Sequence, residues 1–167
     1  SRLTTLLDEM CHEDLYGRET FGSHDRTLGL VHHGDVDPDG HSIWEGGDRF
    51  GAIYGAISNR AALDLGDAAL FERLLDRPTE LAARLDGQFL IAAFDGGTDR
   101  FVIVTDRLGS RPCYYTTSAD FGFGSELAAP MSVLDDPIVD SQAVSDMLLL
   151  GHMWGRRTLL TEVSTLP

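Results

Sequence analysis

The sequence predicts an α+β fold in which helices cover antiparallel sheets. The predicted elements come as a helix, strands, two helices, four strands and a final helix, so the strands form consecutive runs and do not alternate with helices. The run Phe89–Phe94 is almost continuously apolar, as expected of a strand that is buried on both faces. Hydrophobic residues make up 43% of the 167 residues, which is enough for a packed core. A layered sandwich of sheets between helices fits these observations, in one domain over residues 1–167.

The first third of the chain predicts one helix and two strands. Apolar residues at helical spacing predict an amphipathic helix over Thr4–Asp14. Two strands follow, over Thr27–His33 and Arg49–Ile57. Because the stretch between them, residues 34–47, is rich in turn-forming residues, we expect these two strands to pair with each other across a loop.

The rest of the chain predicts two helices, an antiparallel meander and a last helix. Thr79 is expected to cap the second helix, since its hydroxyl can accept a bond from the first free amides. Beyond Leu150 we expect an irregular tail as far as Pro167. In chain order, the predicted bounds are helices Asp67–Leu75 and Thr79–Leu85, strands Gln88–Phe94, Arg100–Thr105, Pro112–Thr117 and Phe121–Gly124, and helix Ser141–Leu150.

The charge balance is strongly acidic, with 27 acidic against 13 basic residues and a net charge of −14. Such a surface repels phosphate backbones and anionic lipids, so we expect no nucleic-acid and no membrane partner. All the basic residues are arginine and 19 of the acids are aspartate. This composition predicts a protein adapted to molar salt, where charge repulsion is screened. Two cysteines without ligand spacing, and no signal or membrane-length apolar segment, predict a soluble cytoplasmic protein.

The second half of the chain carries several short motifs in a fixed order. They are Leu85, Gly87, Phe89 and Asp95; Asp106, Arg107, Gly109, Arg111, Pro112, Tyr114 and Tyr115; and Phe123, Ser125 and Glu126. This order resembles the L-x-G-x-F, strand-Asp, R-D-x-x-G-x-R-P-L-Y-Y and F-x-S-E pattern of the class II glutamine amidotransferase domain of asparagine synthetases. Further matches in the tail are Arg157, Thr158, Val163, Leu166 and Pro167. The resemblance implies an N-terminal nucleophile hydrolase fold, a four-layer αββα sandwich of two antiparallel sheets.

In that family an N-terminal cysteine attacks the glutamine amide while its own α-amino group acts as base. Residue one here is Ser1, and it abuts the first predicted helix directly, whereas the family places a strand between nucleophile and helix. We therefore expect Ser1 to mark a processing boundary, with the strand and its nucleophile missing from these residues. Cys11 and Cys113 are expected to be buried packing residues, so no catalytic residue is predicted.

The substrate pocket of the family is also altered, according to the resemblance. Tyr54 stands where the family has the asparagine that donates to the oxyanion, and Ala56 replaces a substrate-binding glutamate. Gly55 keeps a backbone amide as a candidate oxyanion donor, and Asp67 resembles the aspartate of the family's S-D-x-E helix start. No arginine occupies Leu30–His33, where the family clamps the glutamine carboxylate. Since losing one oxyanion donor costs about 10²-fold in rate, we predict a pocket that is degenerate for glutamine hydrolysis.

Two arginines flank the glycine-containing turn of the central motif. The guanidinium groups of Arg107 and Arg111 could hold backbone carbonyls or the Asp106 carboxylate in a fixed fork. The alternative is a surface ion pair of about 0–1 kcal/mol. The sequence leaves both interpretations open.

An acidic loop imitates the start of an EF-hand. Asp35, Asp37, Asp39 and Gly40 match the pattern D-x-D-x-D-G, but the twelfth position, which needs glutamate, is Gly46. Glu45 lies one place short of it. We expect a solvated acidic loop and no calcium.

Three histidines near that loop could in principle hold zinc or a similar ion. They are His32, His33 and His41. Adjacent residues on a strand point to opposite faces, which separates His32 from His33. We therefore expect structural histidines and no metal site.

The first hypothesis for function is an amidotransferase-like domain of an asparagine synthetase homologue that serves as a scaffold and is inactive on its own. The resemblance implies that ATP and magnesium act in a C-terminal synthetase domain outside these residues, so no cofactor is expected here. The expected partner is that synthetase domain. A second copy of the chain is a further candidate, and so is glutamine if the pocket is functional. One alternative is an active glutaminase domain whose cysteine lies upstream. Others are an inert domain like that of β-lactam synthetase, and an acidic metal-binding module.

Overall fold

The computed structural model describes residues 2–12, 14, 16–23, 26–32, 40–118 and 121–167, without the side chains of Arg2, Thr5, Glu9 and Ser23. The helices are α1 Arg2–Met10, α2 Asp67–Asp76, α3 Pro78–Ala82, α4 Ala128–Met131 and α5 Ser141–Leu150, with a 3-10 turn at Ala61–Leu63. The strands are β1 Gly17–Ser23, β2 Arg26–His32, β3 His41–Gly46, β4 Arg49–Ile57, β5 Gly87–Asp95, β6 Arg100–Thr105, β7 Tyr114–Thr116, β8 Gly122–Gly124 and β9 Val163–Thr165. Helices and antiparallel sheets confirm the α+β class. The narrower assignment to the N-terminal nucleophile hydrolase sandwich stays a prediction.

Several predicted details are wrong. Strand β2 pairs with β1, while β4 pairs with β3 and β5, so the expected pairing of β2 with β4 does not occur. The predicted loop contains β3, and the predicted irregular tail contains β9. Helix α1 ends at Met10, where the apolar spacing also stops. Thr79 does not cap α3, because Pro78 takes the first helical position and no side chain caps this end.

The chain divides into two compact units, of which the larger is Leu7–Arg111. Its main sheet is antiparallel with the order β3-β4-β5-β6. Because side chains alternate along a strand, Ile53 and Ile91 share one face of this sheet, and α2 and α3 cover it. The buried residues of this core are Ile53, Leu65, Leu70, Phe71, Leu74, Leu75, Leu81, Leu85, Phe89, Ile91, Ala93 and Val102.

Helix α2 runs antiparallel to β4. Arg49 at the start of β4 lies 3.4 Å from Asp76 at the end of α2. Further along, Gly51 leaves room for the Phe71 ring, since a Cβ at Gly51 would lie 2.5 Å from Phe71 Cε1. The start of α2 therefore points toward the far end of β4.

The hairpin of β1 and β2 covers the opposite face of the main sheet. Its residue Phe21 contacts Phe50 edge-on, with ring centroids 6.1 Å apart, and Phe50 packs in turn on Phe94 at 5.1 Å. On the outer side of the hairpin, the Leu7 side chain packs over Gly29, where a Cβ would lie 2.6 Å from it. Within this unit the hairpin, the four-stranded sheet and the helix pair thus form three successive layers.

The smaller unit comprises the segment up to Leu6 together with Pro112–Pro167. It contains a three-stranded sheet of order β8-β7-β9 and the helices α4 and α5. Asp140 caps α5 by accepting from the amides of Gln142 and Ala143 at 2.9 and 3.0 Å. Gly151 ends the helix with φ +75°, the left-handed conformation typical of this position.

Within the described part of the chain, no helix is both long and apolar enough to cross a bilayer.

Candidate functional site

Gly55, the candidate oxyanion donor, lies in β4 with φ +98°. A Cβ at this position would lie less than 3.0 Å from the carbonyl oxygen of Gln88 on β5, so the close approach of the two strands requires glycine. The Gly55 amide donates to the carbonyl oxygen of Gly40 at 2.7 Å. It could bind an oxyanion only after that hydrogen bond breaks.

Asp67, the second predicted pocket residue, is the first residue of α2. Its carboxylate pairs with the guanidinium of Arg60, which also donates to the carbonyl oxygen of Leu65 at 2.7 Å. A carboxylate at a helix N-terminus is favoured by the helix dipole. Because α2 runs antiparallel to β4, Asp67 and Gly55 lie toward the same end of the larger unit. In the structure Asp67 has a structural task, the ordering of the turn that leads into α2.

Tyr54 and Arg111 form a pair that the sequence did not predict. The Arg111 guanidinium lies over the Tyr54 ring, 4.6 Å from its centroid, and donates to the Tyr54 hydroxyl at 3.1 Å. This geometry combines a cation–π contact with a hydrogen bond. The side chain of Tyr54, which the resemblance predicts at the oxyanion-donor position, is therefore already bound to Arg111. Ala56, two residues along β4, is exposed.

The Asp106 carboxylate organises the loop between β6 and β7. It is buried, and it accepts from the amides of Leu108 at 2.9 Å, Ser110 at 3.1 Å and Phe89 at 3.2 Å, and from the Ser110 hydroxyl. Burial alone would raise the pKa of Asp106, but these hydrogen bonds outweigh it and hold the pKa below its usual value. The arginines do not hold this carboxylate. Arg107 instead makes one exposed hydrogen bond to the carbonyl oxygen of Ala83 at 3.4 Å, and Arg111 contacts Tyr54.

The two cysteines differ in their surroundings. Cys113 is buried as predicted, and burial raises the pKa of its thiol to about 11. It is therefore protonated at neutral pH and is not a nucleophile. Cys11 follows α1 and is only half-buried, so the prediction of a fully buried residue is wrong for this position.

The histidine cluster contains a third residue that the sequence did not predict. His32 at the end of β2 and His41 at the start of β3 stack with ring centroids 4.0 Å apart. Glu19 of β1 joins them, with its Oε1 3.3 Å from His32 Nε2. Glu19 carries no local signal, because only the β1–β2 pairing brings it to His32. The position of His33 lies outside the described residues.

The last two positions of the EF-hand-like stretch, Glu45 and Gly46, do not form a calcium-binding loop. Both residues lie in strand β3. Asp35, Asp37 and Asp39 lie outside the described residues. The positions that would complete the calcium loop are thus part of a β-ladder.

The chain belongs to the glutamine amidotransferase domain family, whose family model matches residues 69–167. The matched range contains the motifs from Leu85 to Pro167, including the Asp106 loop. Gly55 and Asp67 precede it. A search of curated proteins found no match to this chain.

Proposed function

We propose that this domain is the amidotransferase-like part of an asparagine synthetase homologue, that its pocket does not hydrolyse glutamine, and that it acts as a scaffold for an ATP-dependent amide-forming domain. The proposal rests on the pair of Tyr54 and Arg111, which occupies the oxyanion-donor position of the family with a side chain that is already bound. Two further observations support it. The Gly55 amide is engaged with Gly40, and the Cys113 thiol is buried with a raised pKa.

A docking role is supported by exposed apolar residues at the end of α5. Leu148 and Leu149 are 80% and 82% exposed, and Trp154 in the following loop is 66% exposed. Exposed apolar surfaces of this kind are typical of protein interfaces. We propose that this surface, which we call the α5 surface, contacts the synthetase domain. A second copy of the chain is the alternative occupant.

The first experiment measures ammonia release from glutamine by the native-length protein in molar KCl. The N-terminal residue is first identified by intact mass. We expect no turnover from the folded protein, because Tyr54 replaces the asparagine donor of the family and the Gly55 amide is bound to Gly40. Turnover above the buffer control would refute the degenerate pocket and would show that Tyr54 and Ala56 are tolerated in an active glutaminase.

A double variant that restores the family residues, Tyr54→Asn with Ala56→Glu, separates two causes of inactivity. If an upstream cysteine is present and the pocket alone is degenerate, this variant should release ammonia. If it stays inactive although folded, the loss of activity does not depend on these two positions.

The docking role is tested in the same native-length protein with Leu149→Glu. We expect separate melting of the two domains and weaker ammonia-dependent synthesis, because a charge is placed in an apolar contact. Leu108→Glu is the matched control, since Leu108 is 91% exposed and lies in the other unit. If both variants melt and synthesise product alike, the α5 surface does not contact the synthetase domain. Analytical ultracentrifugation would then show whether the α5 surface joins two copies of the chain.

A further inference from the structure

We propose that Glu19, His32 and His41 form a binding site for a divalent transition metal such as zinc. This site goes beyond the proposed scaffold function and does not depend on it. The three residues come from β1, β2 and β3, and each offers one ligand atom within 4.8 Å of the others. Two imidazoles and one carboxylate are a ligand set that suits zinc and its neighbours, whereas magnesium and calcium prefer oxygen ligands alone.

The spacing of the ligand atoms is close to what a tetrahedral ion requires. Bonds of about 2.0–2.1 Å at tetrahedral angles place two ligand atoms about 3.3 Å apart. The distance from His32 Nε2 to Glu19 Oε1 is 3.3 Å. The other ligand-atom distances are at most 4.8 Å, so the proposed site requires small rotations of the His41 ring and of the exposed Glu19 side chain to reach this spacing.

The histidines are also unsatisfied without an ion. The Nδ1 atoms of His32 and His41 are buried, and neither has a hydrogen-bond partner among the described residues. Since His32 would bind the ion through Nε2, which faces Glu19, the unpartnered atom that an ion could satisfy is His41 Nδ1. Buried polar atoms almost always have a partner, so an unsatisfied one needs an explanation such as a bound ion or water.

The strand beneath the site is shaped to hold the His32 ring. Gly17 lies opposite His32 in the β1–β2 ladder. A Cβ at Gly17 would lie 2.6 Å from His32 Cε1, so the ring occupies the space that the glycine leaves. With three protein ligands, the fourth position of the ion is open to water, as in catalytic zinc sites.

The test begins with the EDTA-treated chain at pH 7.5 and constant KCl, titrated with zinc against a chromophoric chelator. We expect one zinc per chain. Affinity should fall at least tenfold in Glu19→Gln and in His41→Gln, because even the loss of a residue that only orients a metal ligand costs about 10–100-fold. His152→Gln is the matched control, since His152 lies in the other unit and bonds the carbonyl oxygen of Leu150, and it should leave the affinity unchanged.

Gly17→Ala tests the geometry without removing a ligand. Its methyl group displaces the His32 ring, so zinc affinity should fall while circular dichroism remains that of the wild type. Substitution with cobalt gives a second readout, because visible absorption bands report tetrahedral coordination by nitrogen and oxygen.

The wild-type chain provides a readout that does not depend on the folding of any variant. In a long-range nitrogen–proton spectrum, zinc should shift the ring nitrogens of two histidines. The proposal is overturned if zinc does not bind saturably, or if the ring nitrogens of His32 and His41 do not move. It is also overturned if Glu19→Gln and His41→Gln bind zinc as tightly as the His152→Gln control, which would indicate an adventitious ion only.

Discussion

The substitution Gly55→Ala separates a structural role of this glycine from a catalytic one. Gly55 has φ +98°, and the added methyl group would lie less than 3.0 Å from the carbonyl oxygen of Gln88 and 3.2 Å from Phe89 Cα. These are backbone atoms of the neighbouring strand, so they cannot rotate away as a side-chain end could. We expect the substitution to destabilise the fold strongly.

The magnitude has two parts. A non-glycine residue in the left-handed region costs about 1–2 kcal/mol. Overpacking a fixed neighbour costs about 1–3 kcal/mol more, because β4 and β5 must separate locally. The sum is about 2–5 kcal/mol of the free energy of unfolding. Gly151→Ala is the matched control, because Gly151 has φ +75° and no atom within 4 Å of the added Cβ. It should cost only the first part.

The assay is urea unfolding monitored by circular dichroism, from which the free energy of unfolding in water is extrapolated for each variant. An unchanged dependence of this free energy on urea shows that only stability has changed. Gly55→Ala should exceed Gly151→Ala by about 1–3 kcal/mol. Equal losses for the two variants would refute the reasoning, because they would show that β4 and β5 tolerate a side chain here. Gly55 would then be free to have a role in binding.

Three further predictions concern the buried carboxylate, the buried thiol and the surface charge. Asp106→Asn should lower the free energy of unfolding by about 2–3 kcal/mol at pH 7, because three amides lose a charged acceptor. Since folding lowers the pKa of Asp106, its contribution is complete above the unfolded value of about 3.9 and is lost as pH falls below it. Urea unfolding at pH 7 and pH 3 should therefore show a smaller difference between variant and wild type at pH 3, and a constant difference would contradict the assignment. Cys113 should react with an aromatic disulfide reagent only when the chain unfolds, because its pKa is about 11, and fast reaction in a Cys11→Ser background would refute this. Raising KCl from 0.1 to 2 M should stabilise the chain by screening the net charge of −14, and a melting temperature that is flat or falls with salt would count against adaptation to salt.

The bounds of some elements could be predicted because their signals are local. For α5 these are a capping aspartate, Asp140, before the helix and a glycine, Gly151, after it. For β4 and β6 the signal is a largely apolar run along the strand. Strands β1 and β9 were not predicted. Strand β1 is mostly polar, and β9 has only three residues. Sheet pairing is a non-local property that single-sequence patterns do not contain.

The candidate sites show the same limit. The altered pocket stays a prediction from the residue types at positions 54 and 56. These residues did not predict that Arg111 holds Tyr54 from a position 57 residues away in sequence. Likewise His32 and His41 were visible in the sequence as possible ligands. Glu19 was not, because its position beside His32 follows from strand register.

The residues that carry the family likeness mainly build the fold. The Asp106 carboxylate accepts from the Phe89 amide and so connects its loop to β5. Gly87 has φ +151°, and a Cβ at this position would overlap the carbonyl oxygen of Ala56. A sequence can therefore match this family over residues 69–167 because it needs these turns and close contacts, whether or not it hydrolyses glutamine. Activity depends on a smaller set of groups that the fold does not require. For this reason the measurement of ammonia release and the substitution of Gly55 answer different questions. The first tests the chemistry, and the second tests whether strand packing alone requires glycine at position 55.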